Sequence, residues 1–272
     1  MLVFPKAKIN LGLRITRRRP DGYHDIETMF YPVGLCDALE IVRAPEGSEK
    51  DALAISGNNI PGAAEDNIVL LGVRKLRESF RVPALHIHLH KRIPAGAGLG
   101  GGSSDAASAL RAINRIFNLS IGNAKLKEIA AALGSDCPFF IDQVPAFASG
   151  RGEILYPAPF ILNGYHIVLA NPGIQAGTRE AYAECRPSLP ETPLELLLNR
   201  PVNEWKDTVL NDFEEIIFPK YPVIKELKSA FYDSGAVFSS MSGSGSTVFG
   251  IYSEKPVIPG QLAEHVIFEG TL

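Results

Sequence analysis

Cysteine is scarce in these 272 residues: Cys36, Cys137 and Cys185 stand far apart, with no C-x-x-C pair among them. That spacing supports neither a disulfide framework nor a zinc site, and it predicts reduced thiols. An excess of positive charge is also missing, because 27 Lys and Arg face 30 Asp and Glu for a net charge of -3. No global field exists to hold nucleic acid, so an anionic ligand has to be caught locally. Nor does any apolar run approach the roughly 20 residues that span a bilayer. The opening segment, Met1 to Ile15, is interrupted by Pro5, Lys6 and Lys8, unlike a secretory signal, and it lacks the Arg-rich, Ser-rich character of a transit sequence. The expectation is a cytoplasmic protein with neither a membrane nor a nucleic acid as partner.

What is present describes a folded chain. Hydrophobic residues make up 46% and charged residues 21%, as in ordinary globular proteins, and the length suits two domains or one large α/β unit. Ala7 to Thr16 and Ala38 to Val42 are strand-like, with turn chemistry at Pro20-Asp21-Gly22 between them. Asp66 is the expected N-cap of a helix carrying Ile68, Leu71, Val73, Leu76 and Phe80 at near-helical spacing. From Ala84 to Lys91, Leu85, Ile87 and Leu89 alternate with His86, His88 and His90, the period of a strand with one buried face. Adjacent residues on one strand face stand ~7 Å apart, too far for three histidines to share one ion at ~2 Å bonds, so the histidines are read as a polar outer face.

Further helices are expected from Ser103 or Ser104 through Ala106, Ala107, Leu110, Ile113 and Phe117, and from Asn123 to Leu133 with Gly134 as the stop. Pro157 and Pro159 make the stretch from Arg151 to Asn163 the expected domain boundary, followed by a strand from Tyr165 to Leu169. A second small-residue loop, Ser242 to Thr247, precedes a strand from Val248 to Tyr252.

The segment between the histidine strand and the next helix carries the chemistry. Pro94, Ala95, Gly96, Ala97, Gly98, Leu99, Gly100, Gly101, Gly102, Ser103 and Ser104 place five glycines in eleven residues. Glycine lets backbone N–H groups approach a ligand closely, and a helix start adds free amides and a positive dipole end, so polyphosphate is the expected guest. The plain alternative is a flexible loop whose glycines only satisfy turn geometry. A Walker A loop is excluded, because no Lys lies between Pro94 and Arg111. Gly96, Gly98 and Gly101 spell the dinucleotide fingerprint, but in mid-chain and with no acid from Leu119 to Ala124, where that motif needs one.

Pro94 to Ala107 resembles the phosphate loop of the GHMP kinases, the superfamily of galactose, homoserine, mevalonate and phosphomevalonate kinases, written P-x-x-x-G-L-G-S-S-A-A. Gly100-Gly101-Gly102 and Asp105 depart from the general pattern. They resemble the bacterial branch that phosphorylates the 2-hydroxyl of a diphosphocytidyl-linked methylerythritol in isoprenoid synthesis. Pro5 to Leu11, Arg18 to His24, Gly134 to Phe140 and Ser242 to Thr247 resemble further motifs of that branch, in order along the chain.

The resemblance implies an α+β, two-domain fold. An N-terminal ribosomal-protein-S5-like domain would occupy 1–155 and a C-terminal ferredoxin-like α/β sandwich 156–272, with the active site in the cleft between them. It implies ATP with accompanying Mg2+, no metal ligated by the protein alone, and a monomer or weak homodimer. By the same resemblance Asp136 takes the hydroxyl proton, while Lys8 orients Asp136 and the hydroxyl and favours alkoxide character. The loop 94–104 binds the phosphates and Asn67 lines the adenine pocket. Tyr23 stacks on cytosine, His24 reads its polar edge, and Asn10, Thr178 and Tyr182 touch substrate. Gly243, Ser244 and Gly245 shape the floor.

Taken singly, Asp136 reads as a cap, Lys8 as a solvated lysine and Tyr23 as a hairpin aromatic. Cys137 reads as a buried spacer. The run Arg17 to Arg19 is either a solvated edge or a contact to the substrate diphosphate. The rival functions are a superfamily kinase for homoserine or mevalonate, a dinucleotide-dependent oxidoreductase, and an inactive nucleotide-binding module.

Overall fold

The computed structural model describes all residues from Met1 to Leu272. The chain begins with β1 (Leu2–Val3), β2 (Lys6–Arg18), β3 (His24–Cys36), β4 (Ala38–Arg43) and β5 (Ala52–Gly57). It continues through α1 (Ile68–Arg77), β6 (Leu85–Lys91), α2 (Gly101–Ile116), α3 (Asn123–Ala131) and α4 (Phe139–Asp142). Then come β7 (Ala146–Ser149), β8 (Ile154–Pro157), β9 (His166–Ala170), α5 (Thr178–Glu184) and α6 (Leu194–Leu198). The last elements are α7 (Glu214–Lys220), α8 (Pro222–Asp233), β10 (Phe238–Met241), β11 (Val248–Tyr252), α9 (Gly260–Ala263) and β12 (Val266–Thr271). Helices and sheets are mixed, as an α+β chain requires.

Two compact units emerge, each discontinuous in sequence. The first comprises 1–7, 35–95 and 100–144, and the second comprises 8–34, 96–99 and 145–272. In the first, a sheet of order β1-β4-β6-β5 is antiparallel except for the parallel pair β5/β6. Leu85, Ile87 and Leu89 of β6 face inward, and α2 buries Ala106, Ala107, Leu110 and Ile113 while packing on α1, α3 and α4. The histidines of β6 are exposed as expected. His88 Nε2 and His90 Nδ1 both meet Ser56 Oγ, at 2.9 and 3.0 Å.

The second unit holds two sheets, β2-β3-β7-β8 and the antiparallel β10-β11-β9-β12. One apolar cluster joins Leu13, Ile15 and Ile26 to Val168, Phe213, Phe231, Met241 and Val248. Contiguous burial of this kind, at ~25 cal/mol per Å², is the main force holding such a unit together. The proline-marked stretch from Arg151 to Asn163 contains β8, which pairs with β7.

Three boundaries differ from the sequence-based expectation. The N-cap of α1 is Asn67, whose Oδ1 accepts the Val69 N–H at 2.9 Å, and Asp66 lies in a preceding 3-10 turn. On that helix Val69, Leu70, Val73 and Leu76 are buried and Leu71 is exposed, because 100° per residue carries position 71 past the apolar stripe. Helix α2 starts at Gly101 after Gly100 at φ +69°, so Ser103 and Ser104 sit inside its first turn rather than capping it. Helix α3 stops at Ala131, and Gly134 does not adopt the left-handed conformation of a glycine stop.

Candidate active site

Lys8 is only 3% exposed, on β2, and a buried ammonium needs fixed partners. Its Nζ donates to Asn10 Oδ1 at 2.5 Å and to Gly98 O at 3.1 Å, and it stands 5.0 Å from the centroid of the Phe30 ring. Residues 8 and 10 share one strand face by the period of two, which brings the amide to the amine. Asn10 is itself 2% exposed: its Nδ2 donates to Thr28 Oγ1 at 2.9 Å and its backbone N–H to Ser242 Oγ at 3.3 Å. Both ends of the Asn10 amide are thus engaged inside the protein.

The glycine loop is shaped by backbone contact. Gly96, Gly98 and Gly100 all hold positive φ, and a Cβ at Gly98 would lie 1.9 Å from Ser242 O. Ser242 Oγ donates to Gly98 O at 2.9 Å, and Lys8 N donates to Leu99 O at 3.0 Å. The two small-residue loops and the lysine strand therefore form one bonded assembly within the second unit.

In the first unit, α2 presents the unpaired amides of its opening turn, and Ser104 Oγ is buried there without a hydrogen-bond partner. A phosphate oxygen, or a metal ion riding on it, satisfies such a hydroxyl. Asp136 is half-buried just ahead of α4. Its neighbour Cys137 is fully buried, and burial pushes that thiol up to about 11, with the Ser103 hydroxyl opposing the shift. A thiol of that kind is not a nucleophile.

A ledge of rings lies at the other end of β2. Tyr23 is exposed in the turn leading into β3, with the Arg151 guanidinium 4.8 Å from its ring centroid. His24 is buried and stacks on Tyr182 at 5.3 Å and 20°, and Tyr182 in turn meets the Phe213 ring edge-on at 4.8 Å. Burial, helped by the charge of Arg18, lowers the His24 pKa from its ordinary 6.5, so the imidazole is neutral at pH 7. It then offers one donor and one acceptor, the set that a polar base edge requires. Thr178 is exposed and shares a 2.7 Å hydrogen bond with Ser244 Oγ. Arg17 and Arg19 pair with Asp25, and Arg19 also with Asp21, so much of the charge in the basic run is matched within the hairpin. Asn67, through its oxygen, is the cap of α1.

Two buried polar groups went unread in the sequence. Lys91 bonds to Asp37 and, at 2.7 Å, to Asp105, and Asp37 Oδ1 accepts the Arg92 and Ile93 N–H groups at 2.6 and 2.8 Å. A signal existed: Lys91 continues the inward register of Leu85, Ile87 and Leu89, and a charge on an apolar face announces a buried partner. The second group is Asn211 to Glu214, which lies far from every motif in sequence and gave no comparable sign.

Comparison with known proteins adds a family. Residues 67–150 match the model of the GHMP kinases N terminal domain, and residues 194–260 match GHMP kinases C terminal. The chain is 49% identical over 259 residues to a 4-diphosphocytidyl-2-C-methyl-D-erythritol kinase of Bacteroides thetaiotaomicron, covering 95% of this chain and 94% of that protein. It is 47% identical over 257 residues to the protein of the same name in Cytophaga hutchinsonii, covering 94% of each. A crystal structure of 4-(cytidine 5'-diphospho)-2C-methyl-D-erythritol kinase superposes with a TM-score of 0.77 at 32% identity, over 92% of this chain and 90% of that one.

Proposed function

Because this chain belongs to the GHMP kinases, and within them to the 4-diphosphocytidyl-2-C-methyl-D-erythritol kinases, we propose that it transfers the γ-phosphoryl group of ATP to the 2-hydroxyl of 4-diphosphocytidyl-2-C-methyl-D-erythritol, a step in making isoprenoid precursors. The observation that carries the choice of acceptor is the neutral, buried His24 stacked on Tyr182 beside an exposed Tyr23. A base can be stacked and read there, whereas mevalonate and homoserine have no base to offer.

Phosphoryl transfer needs an aligned hydroxyl, a proton acceptor and compensation of the transferring charge. Asp136 accepts the hydroxyl proton as the P–O bond forms. Lys8, fixed by Asn10 and Gly98, supplies a positive charge that favours the developing alkoxide. Asn10 contributes by holding that lysine as well as by facing the acceptor. The backbone of 94–104 holds the phosphates, with the α2 amides and the Ser103 and Ser104 hydroxyls directed at them, and the orphaned Ser104 Oγ fits that task. Mg2+, when bound with ATP, offsets phosphate charge, and these hydroxyls are the protein groups suited to meet it. Asn67 lines the adenine side, and Tyr23, His24, Tyr182 and Thr178 form the cytidine side. The work is expected in the cytoplasm, with residues 1–155 and 156–272 as the two domains.

The test is ADP release from Mg-ATP with this acceptor, alongside mevalonate and homoserine. Turnover with the cytidine compound alone supports the reading. Folded protein that is silent with it refutes the acceptor, and an NAD(P)H titration separates the dinucleotide reading.

A further inference from the structure

The segment Asn211-Asp212-Phe213-Glu214 touches the lysine strand, the second small-residue loop and the aromatic ledge at once, all within the second unit. Asn211 is 2% exposed, and its Nδ2 donates to two carbonyls, Met241 O at 2.7 Å and Gly243 O at 2.8 Å. Its Oδ1 accepts the Phe213 N–H at 3.0 Å. The amide therefore straddles Ser242, the residue whose Oγ accepts from Asn10 N and donates to Gly98 O. Gly98 O in turn accepts from Lys8 Nζ.

The neighbours of Asn211 reinforce the same parts. Leu13 N donates to Leu210 O at 2.9 Å and Asp212 N to Leu13 O at 2.8 Å, tying the segment to β2. Asp212 Oδ2 accepts the Ile15 N–H at 2.7 Å on that same strand. Glu214 Oε1 accepts from Met241 N at 2.8 Å and from Ser240 Oγ at 3.0 Å, and its Oε2 takes Lys228 at 2.5 Å. Phe213 supports Tyr182, on which His24 stacks.

We propose that Asn211 is a positioning residue for phosphoryl transfer: by clamping Met241 O and Gly243 O it presses Ser242 against Gly98 and Asn10, and so sets the place of the Lys8 amine. A primary amide suits this task because one NH2 group offers two donors to two carbonyls on either side of a single residue. Losing it leaves Gly243 O without its side-chain donor and Met241 O with only the long 3.4 Å contact from Ser240 Oγ, and frees the loop that backs Gly98. A displacement of about 1 Å at a charge that acts only in the transition state lowers kcat far more than it weakens binding of either substrate.

The inference rests on the role proposed for Lys8, and the experiment separates the two. Wild type, Asn211→Ala, Asn211→Ser, Ser242→Ala and the Asn211→Ala/Ser242→Ala double variant are assayed for kcat and both KM values, with thermal unfolding as the fold control. An inactive wild type overturns the acceptor reading and takes the inference with it. With an active wild type, the expected result is a fall in kcat of tenfold or more in Asn211→Ala, with each KM moving less than threefold. The double variant should be no slower than its slower parent, since both changes break one relay. Asn211→Ser, which keeps one donor, is expected to lie between wild type and Asn211→Ala. It carries the test alone if Asn211→Ala does not fold, with an unchanged kcat then counting against the proposal. Multiplying rate losses in the double variant, or a kcat that stays within twofold in folded Asn211→Ala, overturns it.

Discussion

Lys91 Nζ lies 2.7 Å from Asp105 Oδ2, joining the last residue of β6 to the second turn of α2. With Asp37 also on the amine, two buried carboxylates share one ammonium, and Asp105 Oδ1 is left without a partner. A Cβ at Gly101 would come within 3.3 Å of that Nζ and 2.8 Å of Ile93 Cγ2, so the helix start sits directly on this cluster.

Burial raises the Asp105 pKa from 3.8 to about 8, against the opposing charge of Lys91. The folded protein thus holds a proton that the unfolded chain gives up above its ordinary carboxylate value. The associated stability is complete below that value and is lost as the pH rises through about 8. Denaturant midpoints should therefore fall from pH 5 to pH 8 in wild type, and fall less in Asp105→Asn, which mimics the protonated acid. Parallel curves for the two proteins would contradict this account.

Asp136→Ala should lower kcat by about 10²- to 10⁴-fold, the usual range for losing a general base. Its thermal midpoint should stay close to wild type, because the half-buried side chain lies outside the apolar core. ADP-release assays and a melting curve on the same preparation check both parts.

His24→Ala should raise KM for the cytidine acceptor by about fivefold, the equivalent of the ~1 kcal/mol of one hydrogen bond, and leave KM for ATP unchanged. In wild type, the acid-side decline of kcat/KM for the acceptor should set in at a lower pH than an ordinary histidine would give, because burial and Arg18 lower the His24 pKa and keep the ring neutral further into acid. A shift in KM for ATP of the same size would place His24 elsewhere in the reaction.

Gly98→Ala combines φ +77° with a Cβ 1.9 Å from a backbone carbonyl, and no side-chain movement relieves that contact. A loss of about 3 kcal/mol in stability is expected, together with loss of activity. Gly96→Ala shares the positive φ but has open space around its Cβ, so its loss of stability should be smaller. Urea unfolding of the two variants side by side gives the comparison.

Part of the candidate site was legible without coordinates. The density of glycine from Gly96 to Gly102 and the Pro-Asp-Gly turn before Tyr23 are local features, each with a local physical reason, whereas Lys8, Asn10 and Asp136 stood out only through the family resemblance. Strand β6 and its outward histidines followed from alternation alone. Helix starts were misplaced by a few residues because Asp66, Asn67, Ser103 and Ser104 are all competent caps, yet Asn67 caps α1 and α2 opens after Gly100 with no side-chain cap at all. Strand β3 was not singled out, although it matches β2 in length, and β5, mainly apolar in sequence yet largely exposed, also went unread.

The residue types and their spacing pointed to the chemistry proposed for the chain, since a glycine-rich loop, a candidate base and an aromatic pair are written as short contiguous motifs. Tertiary structure alone decided what holds those motifs in place. Asn211 reaches Gly243 across 32 positions and Lys91 reaches Asp37 across 54, and such pairings arise from the burial of unlike segments together. Once buried, each polar group must find a partner wherever the chain brings one, and no local pattern encodes that choice.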